Sequence, residues 1–360
     1  RRANAIAFDL REAGRIKREG DKISGKIIKD SKGNPLRQPG LFKNLKGIGW
    51  YIEEYGIAQI SYNLTNINVT SLHDVFEKTY ERATARGLRV TGSELIGLVP
   101  KKVLIDAGKY FLKKQSRSLA IPERDIIQIA VKTLGLDELQ PFNQDERIIE
   151  YALKNENHFL ANMTLIDFAN KTSSESPAPG GGSISAYTGA LGAALSTMVA
   201  NLSANKRGWD DQWQTFSDWA EKGIIYQNQL LDLVDEDTKA FNEIMNAFRL
   251  PNDTEVEKKI RLKNIHAATK HAIKTPFKVM EVALDSMQVM KEMALNGNPN
   301  SITDAAVGAL CARTAIRGAY LNVQINCKDY DDNIFIDKIL KDCQVILKQA
   351  KFNENEILDI

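Results

Sequence analysis

Residues 177–204 read PAPGGGSISAYTGALGAALSTMVANLSA, and the fold follows from how this stretch is understood. From Ile184 to Ala204 it carries no charge, over about the length of a helical membrane span. Yet it is rich in Ser, Thr, Asn, Ala and Gly and thin in Leu, Ile, Val and Phe, so lipid is a poor match for it. Gly189, Ala193, Ser196 and Ala200 fall on one face at helical spacing. A stripe of small residues lets a second helix approach closely, which predicts a buried central helix inside a bundle rather than a membrane anchor.

Helical periodicity continues on both sides of this stretch, at 165–172, 183–204, 212–247, 255–295, 301–326 and 332–351, with a break expected near Thr275-Pro276. No strand signal occurs after Met163, so residues 163–360 are expected to form an all-helical domain. Residues before Tyr151 have a different texture. Runs of β-formers at 48–54 and 57–63 meet at Tyr55-Gly56, a hairpin signal. Helical patterns at 71–86, 101–114 and 123–134 and a strand at 88–91 complete a β-β-α-β-α order. That order predicts a small open sheet with helices on one face. Residues 1–12 read as a further helix, and 154–162 (KNENHFLAN) as a polar linker. The class is thus a two-domain chain, α+β followed by all-α.

Composition narrows the function classes. The 360 residues are 26% charged and 43% hydrophobic, as in an ordinary globular protein, and the formal net charge is +2, so no global field points to nucleic acid. Cys311, Cys327 and Cys343 lack CxxC spacing, and the chain has four histidines. Neither a zinc site nor a disulfide framework is expected, no metal is assigned, and a reducing cytosol is the favoured compartment. The basic stretch RIKREGDKISGKIIKDSKGNPLRQPG at 15–40 reads as a solvated insertion with an anion-attracting loop as its sharper alternative. The chain is expected to start partway through a longer protein, because the first residues already read as helix.

Four places can carry chemistry. Gly180, Gly181, Gly182 and Ser183 stand before the central helix, where free backbone N–H groups at a positive helix end suit a carboxylate or phosphate. The alternative is a flexible lead-in with Ser183 as N-cap. In LLDLVDEDTKAFNEIM (230–245), the stripe through Leu230, Leu233, Val234, Ala240, Phe241 and Ile244 is apolar except for Asp237. A carboxylate in such a seam is either functional or satisfied by local partners. Asp235 shares its face with Thr238, Lys239 and Asn242 instead. On the helix after Asn300, Asp304, Gly308, Cys311, Ala315, Gly318, Asn322 and Asn326 follow one stripe whose polar ends can bind a heterocycle or a neighbouring helix. Ser301-x-x-Asp304 equally fits a capping box. Lys206-Arg207 can meet carboxylates or simply suit a helix C-terminus. His73, His266 and His271 read as surface or capping residues, and Cys311 as core.

Taken together, PAPGGGS, ANKRGW (204–209), LVDEDTKAF (233–241) and NSITDAAVGALCARTAIRGAYLNVQIN (300–326) resemble the cyclodeaminase domain of the formiminotransferase-cyclodeaminase family. RANAIAFDLREAG (2–14), GIGWYIEEYGIAQISYNLTN (47–66), TGSELIGLVP (91–100) and DERIIEY (145–151) are similar to the C-terminal subdomain of glutamate formiminotransferase. The resemblance implies a ferredoxin-like transferase subdomain at 14–153, preceded at 1–13 by the last helix of an N-terminal subdomain that is otherwise lacking, and a cyclodeaminase bundle at 163–360. It implies transfer of a formimino group from N-formimino-L-glutamate to tetrahydrofolate, and closure of 5-formiminotetrahydrofolate to 5,10-methenyltetrahydrofolate with loss of ammonia, in histidine breakdown. Transferase activity would then depend on the missing subdomain. Asp237 falls in the family's catalytic-aspartate motif. Gly180–Gly182, Ser183, Lys206, Arg207, Asp304, Asn322 and Asn326 become candidate contacts for the folate co-substrate and its polyglutamate tail. The family also implies a homodimer or larger ring. Competing readings are a methenyltetrahydrofolate cyclohydrolase and, from another class, a non-catalytic folate-polyglutamate-binding or oligomerisation scaffold.

Overall fold

The computed structural model describes residues 1–21, 24–153, 159–328 and 330–360. The first half of the proposed linker, 154–158, therefore lies outside the described residues. The chain forms two compact units: Arg1–Gln115 with Pro122–Lys154, and Ser116–Ile121 with Asn155–Ile360.

The first unit is built on a hairpin, β3 (Leu45–Ile52) and β4 (Ile57–Leu64), with Ile52 opposite Ile57 and Leu45 opposite Leu64. Gly56 supplies the left-handed turn residue at φ +63°. Helix α1 (Arg2–Leu10) lies directly on β3: a Cβ on Gly49 would come within 2.6 Å of the backbone at Ala3 and Asn4. Ile6, Leu10, Leu45, Val75 and Ala83 form the core there, with α2 (Leu72–Thr84) covering it. A short ribbon, β1 (Arg15–Ile16) with β2 (Arg37–Gln38), sits in the basic stretch, and Asp9 pairs with Arg15 and Arg86. Helices α3 (Lys101–Lys114) and α4 (Glu123–Leu134) bury Leu104, Ala107, Phe111, Ile127 and Val131, followed by α5 (Gln144–Arg147) and α6 (Ile149–Ala152).

The strand expected at 88–91 does not form. Leu88 N–H closes the end of α2 on the Ala83 carbonyl at 2.9 Å, and Leu88 and Val90 pack against the Ile6–Leu45 core. Their alternation records burial of side chains, with no third strand to pair with; among the described residues each sheet has two strands.

The second unit contains α7 (Leu165–Thr172), α8 (Gly181–Ala204), α9 (Trp213–Phe248), α10 (Glu255–Asn296), α11 (Ile302–Cys327) and α12 (Asn333–Leu358). Helix α8 is central, and Ala186, Ala190, Ala193, Val199 and Ala200 are buried along it. Residues 116–121 belong to this unit: the Asn201 amide donates to the Ala120 carbonyl at 2.8 Å and accepts from the Ser118 hydroxyl at 2.6 Å. Helix α11 runs antiparallel to α8, with Gly181 beside Asn322, Gly189 beside Ala315 and Gly192 beside Gly308. A Cβ on Gly192 would come within 2.7 Å of the Gly308 carbonyl oxygen, and helix backbone cannot easily step aside. Gly192→Ala is expected to cost about 1–3 kcal/mol by overpacking, read as a lower Tm; an unchanged Tm would mean the two helices have room to spare. Among the described residues no helix is long and apolar enough to cross a membrane.

The break expected at Thr275-Pro276 is absent, because α10 is continuous from Glu255 to Asn296. Pro276 has no N–H for the Ala272 carbonyl four residues back. The Asn326 side-chain amide on α11 donates to that carbonyl at 2.7 Å, so the missing bond is replaced from a neighbouring helix.

Candidate functional site

Helix α8 begins on glycines. Gly180 is the N-cap and has no side chain to cap with, which overturns the alternative in which Ser183 caps the helix. One free N–H of the first turn, that of Ser183, is served from another helix instead. Asp237 Oδ2 on α9 accepts from the Ser183 N–H at 2.9 Å and from the Ser183 hydroxyl at 3.0 Å. Ser183 is itself fully buried, and its hydroxyl lies 3.4 Å from that of Thr238. The carboxylate fills the place a side chain on Gly182 would occupy: a Cβ there would stand 2.0 Å from Asp237 Oδ1. Burial pushes the Asp237 carboxyl above its ordinary value, while the two Ser183 bonds favour the charged form and pull the other way. The result is a carboxyl group able to hold or release a proton, fixed at a positive helix end.

Asn322 completes this end of the bundle. Its amide donates to the Gly318 carbonyl at 2.9 Å, and a Cβ on Gly181 would come 3.3 Å from that same nitrogen. Asn326, read as a substrate contact, has its amide committed to Ala272 below Pro276. On α9, the residues flanking Asp237 do other work. Asp235 accepts from the Leu160 and Ala161 N–H groups at 2.7 and 3.2 Å, tying down the segment before α7. Glu236 lies 3.0 Å from His271 Nε2, whose Nδ1 lies 2.7 Å from Glu243. This imidazole clasp between α9 and α10 escaped the sequence reading, although Glu236 and Glu243, seven apart on one helix, mark the face that meets it. Phe241, placed on the apolar stripe by its spacing, is 37% exposed.

The remaining candidates lie elsewhere. Helix α8 has 24 residues, or ~36 Å at 1.5 Å per residue. Lys206 and Arg207 follow its far end, where Lys206 Nζ sits 3.8 Å from the Trp209 ring centre. Asp304 stands in the first turn of the antiparallel α11, at that same far end. The capping box expected there is not made, since the Ser301 side chain makes no cap bond. One chain therefore does not gather the predicted residues into one site. The Gly180–Ser183 turn, Asp237 and Asn322 come together, while Lys206, Arg207 and Asp304 are held apart by the length of a helix running straight between the two groups. Burial raises the Cys311 thiol above its ordinary value, as for a packing residue. Among the described residues no group of three or more His, Cys, Asp or Glu side chains can hold a metal.

Comparison with known proteins identifies the family of the chain. The family profile described as Formiminotransferase-cyclodeaminase matches residues 164–345, and that of the Formiminotransferase domain matches 1–154. The chain belongs to the formiminotransferase-cyclodeaminase family. It is 36% identical over 351 residues to the formimidoyltransferase-cyclodeaminase of Mus musculus, covering 97% of this chain and 61% of that protein's length. A methenyltetrahydrofolate cyclohydrolase of Methylorubrum extorquens is 34% identical over 189 residues, 52% of this chain and 91% of that one. The crystal structure of formiminotetrahydrofolate cyclodeaminase from Thermotoga maritima aligns with 26% identity and a TM-score of 0.49 over 54% of this chain and 94% of that one. The transferase profile runs through residues 1–154 in one match. The expectation of a lost transferase subdomain, with residues 1–13 as its remnant, gains no support from it, nor does an activity conditional on that loss.

Proposed function

We propose that the helical unit is a formimidoyltetrahydrofolate cyclodeaminase, acting in a folate-dependent one-carbon enzyme of histidine degradation that also bears glutamate formimidoyltransferase activity. The observation that carries this reading is the Asp237 carboxylate, buried and held at the start of α8 within the segment that matches the cyclodeaminase family. In the reaction, the formimino group of 5-formiminotetrahydrofolate is protonated (–CH=NH2+), and N10 attacks its carbon, forming the new C–N bond while the C=N double bond opens to leave an NH2 group. The N10 proton passes to the Asp237 carboxylate. The same group returns it to the departing nitrogen as the C–N bond to that nitrogen breaks, leaving ammonia and the 5,10-methenyl cation. The negative carboxylate also faces the positive charge that the methenyl product carries. Release of one ammonia per methenyltetrahydrofolate formed tests the reading.

The Methylorubrum extorquens relative favours a second reading, hydrolysis of methenyltetrahydrofolate. There a water, deprotonated by the same carboxylate, would add to the same carbon. Assaying both substrates side by side separates the two, since only the first reaction yields ammonia; a scaffold would bind folate and turn over neither.

The finer expectations stand as parts of this proposal: a ferredoxin-like arrangement for residues 14–153, the boundary at 154–162, a cytoplasmic location, tetrahydrofolate as polyglutamylated co-substrate, and a homodimer or larger ring. A second copy is the means by which cations at one end of α8 would meet the carboxylate at the other. Lys206→Ala with Arg207→Ala is then expected to weaken binding of pentaglutamate folate more than monoglutamate. The effect should be modest, since exposed ion pairs contribute about 0–1 kcal/mol each, and it should fade with salt. Binding constants for both ligands at low and high salt check it. Equal weakening of both would reduce these residues to a helix end packed on Trp209.

A further inference from the structure

Resting on the cyclodeaminase reading, we propose that Ser183 is a positioning residue for Asp237, dividing its carboxylate into one anchored oxygen and one working oxygen. Ser183 offers two donors to the same atom, its N–H at 2.9 Å and its hydroxyl at 3.0 Å, both to Oδ2. The hydroxyl has a single proton, and an ionised carboxylate only accepts, so the direction of that bond is determined. Thr238, 3.4 Å away, then donates to the Ser183 oxygen in turn. Oδ1 is treated differently. It lies over the Gly182 Cα, accepts no hydrogen bond from a described side chain or backbone group, and is not one of the sealed, unpartnered polar atoms. It is the oxygen left to exchange a proton with N10 and the departing nitrogen.

The arrangement has a mechanical logic. Asp237 must accept a proton and give it up again within one turnover, to two nitrogens on the same carbon. A freely rotating carboxyl would present either oxygen and lose alignment between the two transfers, and misplacement of about 1 Å can cost 10²-fold. Two bonds to Oδ2 from a fully buried residue in a helix stop that rotation.

The test compares Ser183→Ala with Asp237→Asn in the full chain. Ser183→Ala is expected to lower kcat on the order of ten- to a hundredfold, as for loss of one bond to a charged group. KM should hardly change. The acid limb of the kcat/KM profile should move to higher pH, because a donor that favours the charged carboxylate is gone. Ser183→Thr, which keeps the hydroxyl, should bring the limb back towards its original position. A purely structural role would lower Tm and leave the limb where it was. Should Ser183→Ala fail to fold, Ser183→Cys, with a weaker donor of similar size, is expected to move the limb in the same direction. A folded Ala or Cys variant with an unmoved limb and unchanged kcat overturns the proposal. If Asp237→Asn is inactive while that happens, the inference fails and the cyclodeaminase reading stands; if Asp237→Asn retains full turnover, the reading itself fails.

Discussion

Asp237→Asn is expected to lower ammonia release from 5-formiminotetrahydrofolate by about 10²–10⁴-fold, the usual contribution of general acid–base catalysis, with the protein still folded. The amide has the same shape and can still accept from the Ser183 N–H, so α8 keeps its external cap. What it cannot do is take up and return a proton. The stability profile should change as well. Burial raises the folded-state carboxyl above its ordinary value, so the native protein holds this proton more tightly than the unfolded chain. Between the two values stability must fall as pH rises, and the loss is complete above the higher one. Asp237→Asn removes that slope. Asp235→Asn should act the other way round: smaller loss of turnover, lower Tm, because Asp235 anchors the Leu160 and Ala161 N–H groups. Equal catalytic losses at 235 and 237, or a loss only at 235, would mean that the wrong carboxylate has been assigned the proton.

The three glycines at the start of α8 are expected to respond very unequally to alanine. At Gly182 the new Cβ would stand 2.0 Å from Asp237 Oδ1 and 2.5 Å from its Cγ, far inside any contact distance. Either the carboxylate is expelled or the first turn of α8 unwinds. A catalytic group displaced by about 1 Å loses on the order of 10²-fold, so Gly182→Ala should approach Asp237→Asn in turnover. At Gly181 the Cβ would meet the Asn322 amide at 3.3 Å, a contact that a small shift of one side chain relieves. At Gly180 the nearest atom would be the Pro177 carbonyl oxygen at 3.7 Å, and φ is −103°. Turnover should therefore fall sharply at 182, slightly at 181 and hardly at 180. A loop whose three glycines serve only to bare N–H groups to an anion predicts similar losses at all three, and that pattern would sink the present account.

Much of this was legible in the sequence because it is local. Helices 101–114, 123–134 and 165–172 coincide with their observed bounds, and the hairpin and the order of the long helices follow from periodicity and turn residues. Asp237 was found as the one charged position in an apolar seam, a signal that helix geometry alone supplies. What failed depends on partners distant in the chain. Residues 88–91 alternate like a strand, but strand formation requires a neighbour to pair with, and the local string is silent about that. Pro276 looks like a helix break until Asn326 is placed beside Ala272. The polar stripe from Asp304 to Asn326 reads as one surface, yet a helix of that length separates Asp304 from its other end; Asn322 reaches the start of α8, while Asn326, one turn further on, spends its amide on Ala272. His271 reads as a surface or capping residue, since its two carboxylates lie on a different helix.

The Asn326 amide beneath Pro276 makes positions 276 and 326 historically interdependent. If Pro276 gives way to alanine first, the new N–H closes the ladder on Ala272, and the amide becomes redundant; position 326 is then free to drift. If Asn326 is lost first, the buried Ala272 carbonyl is left without a donor, at about 1–3 kcal/mol. The same pair of replacements is thus open by one route and obstructed by the other, so a proline in this helix and the asparagine facing it are best viewed as a single inherited unit.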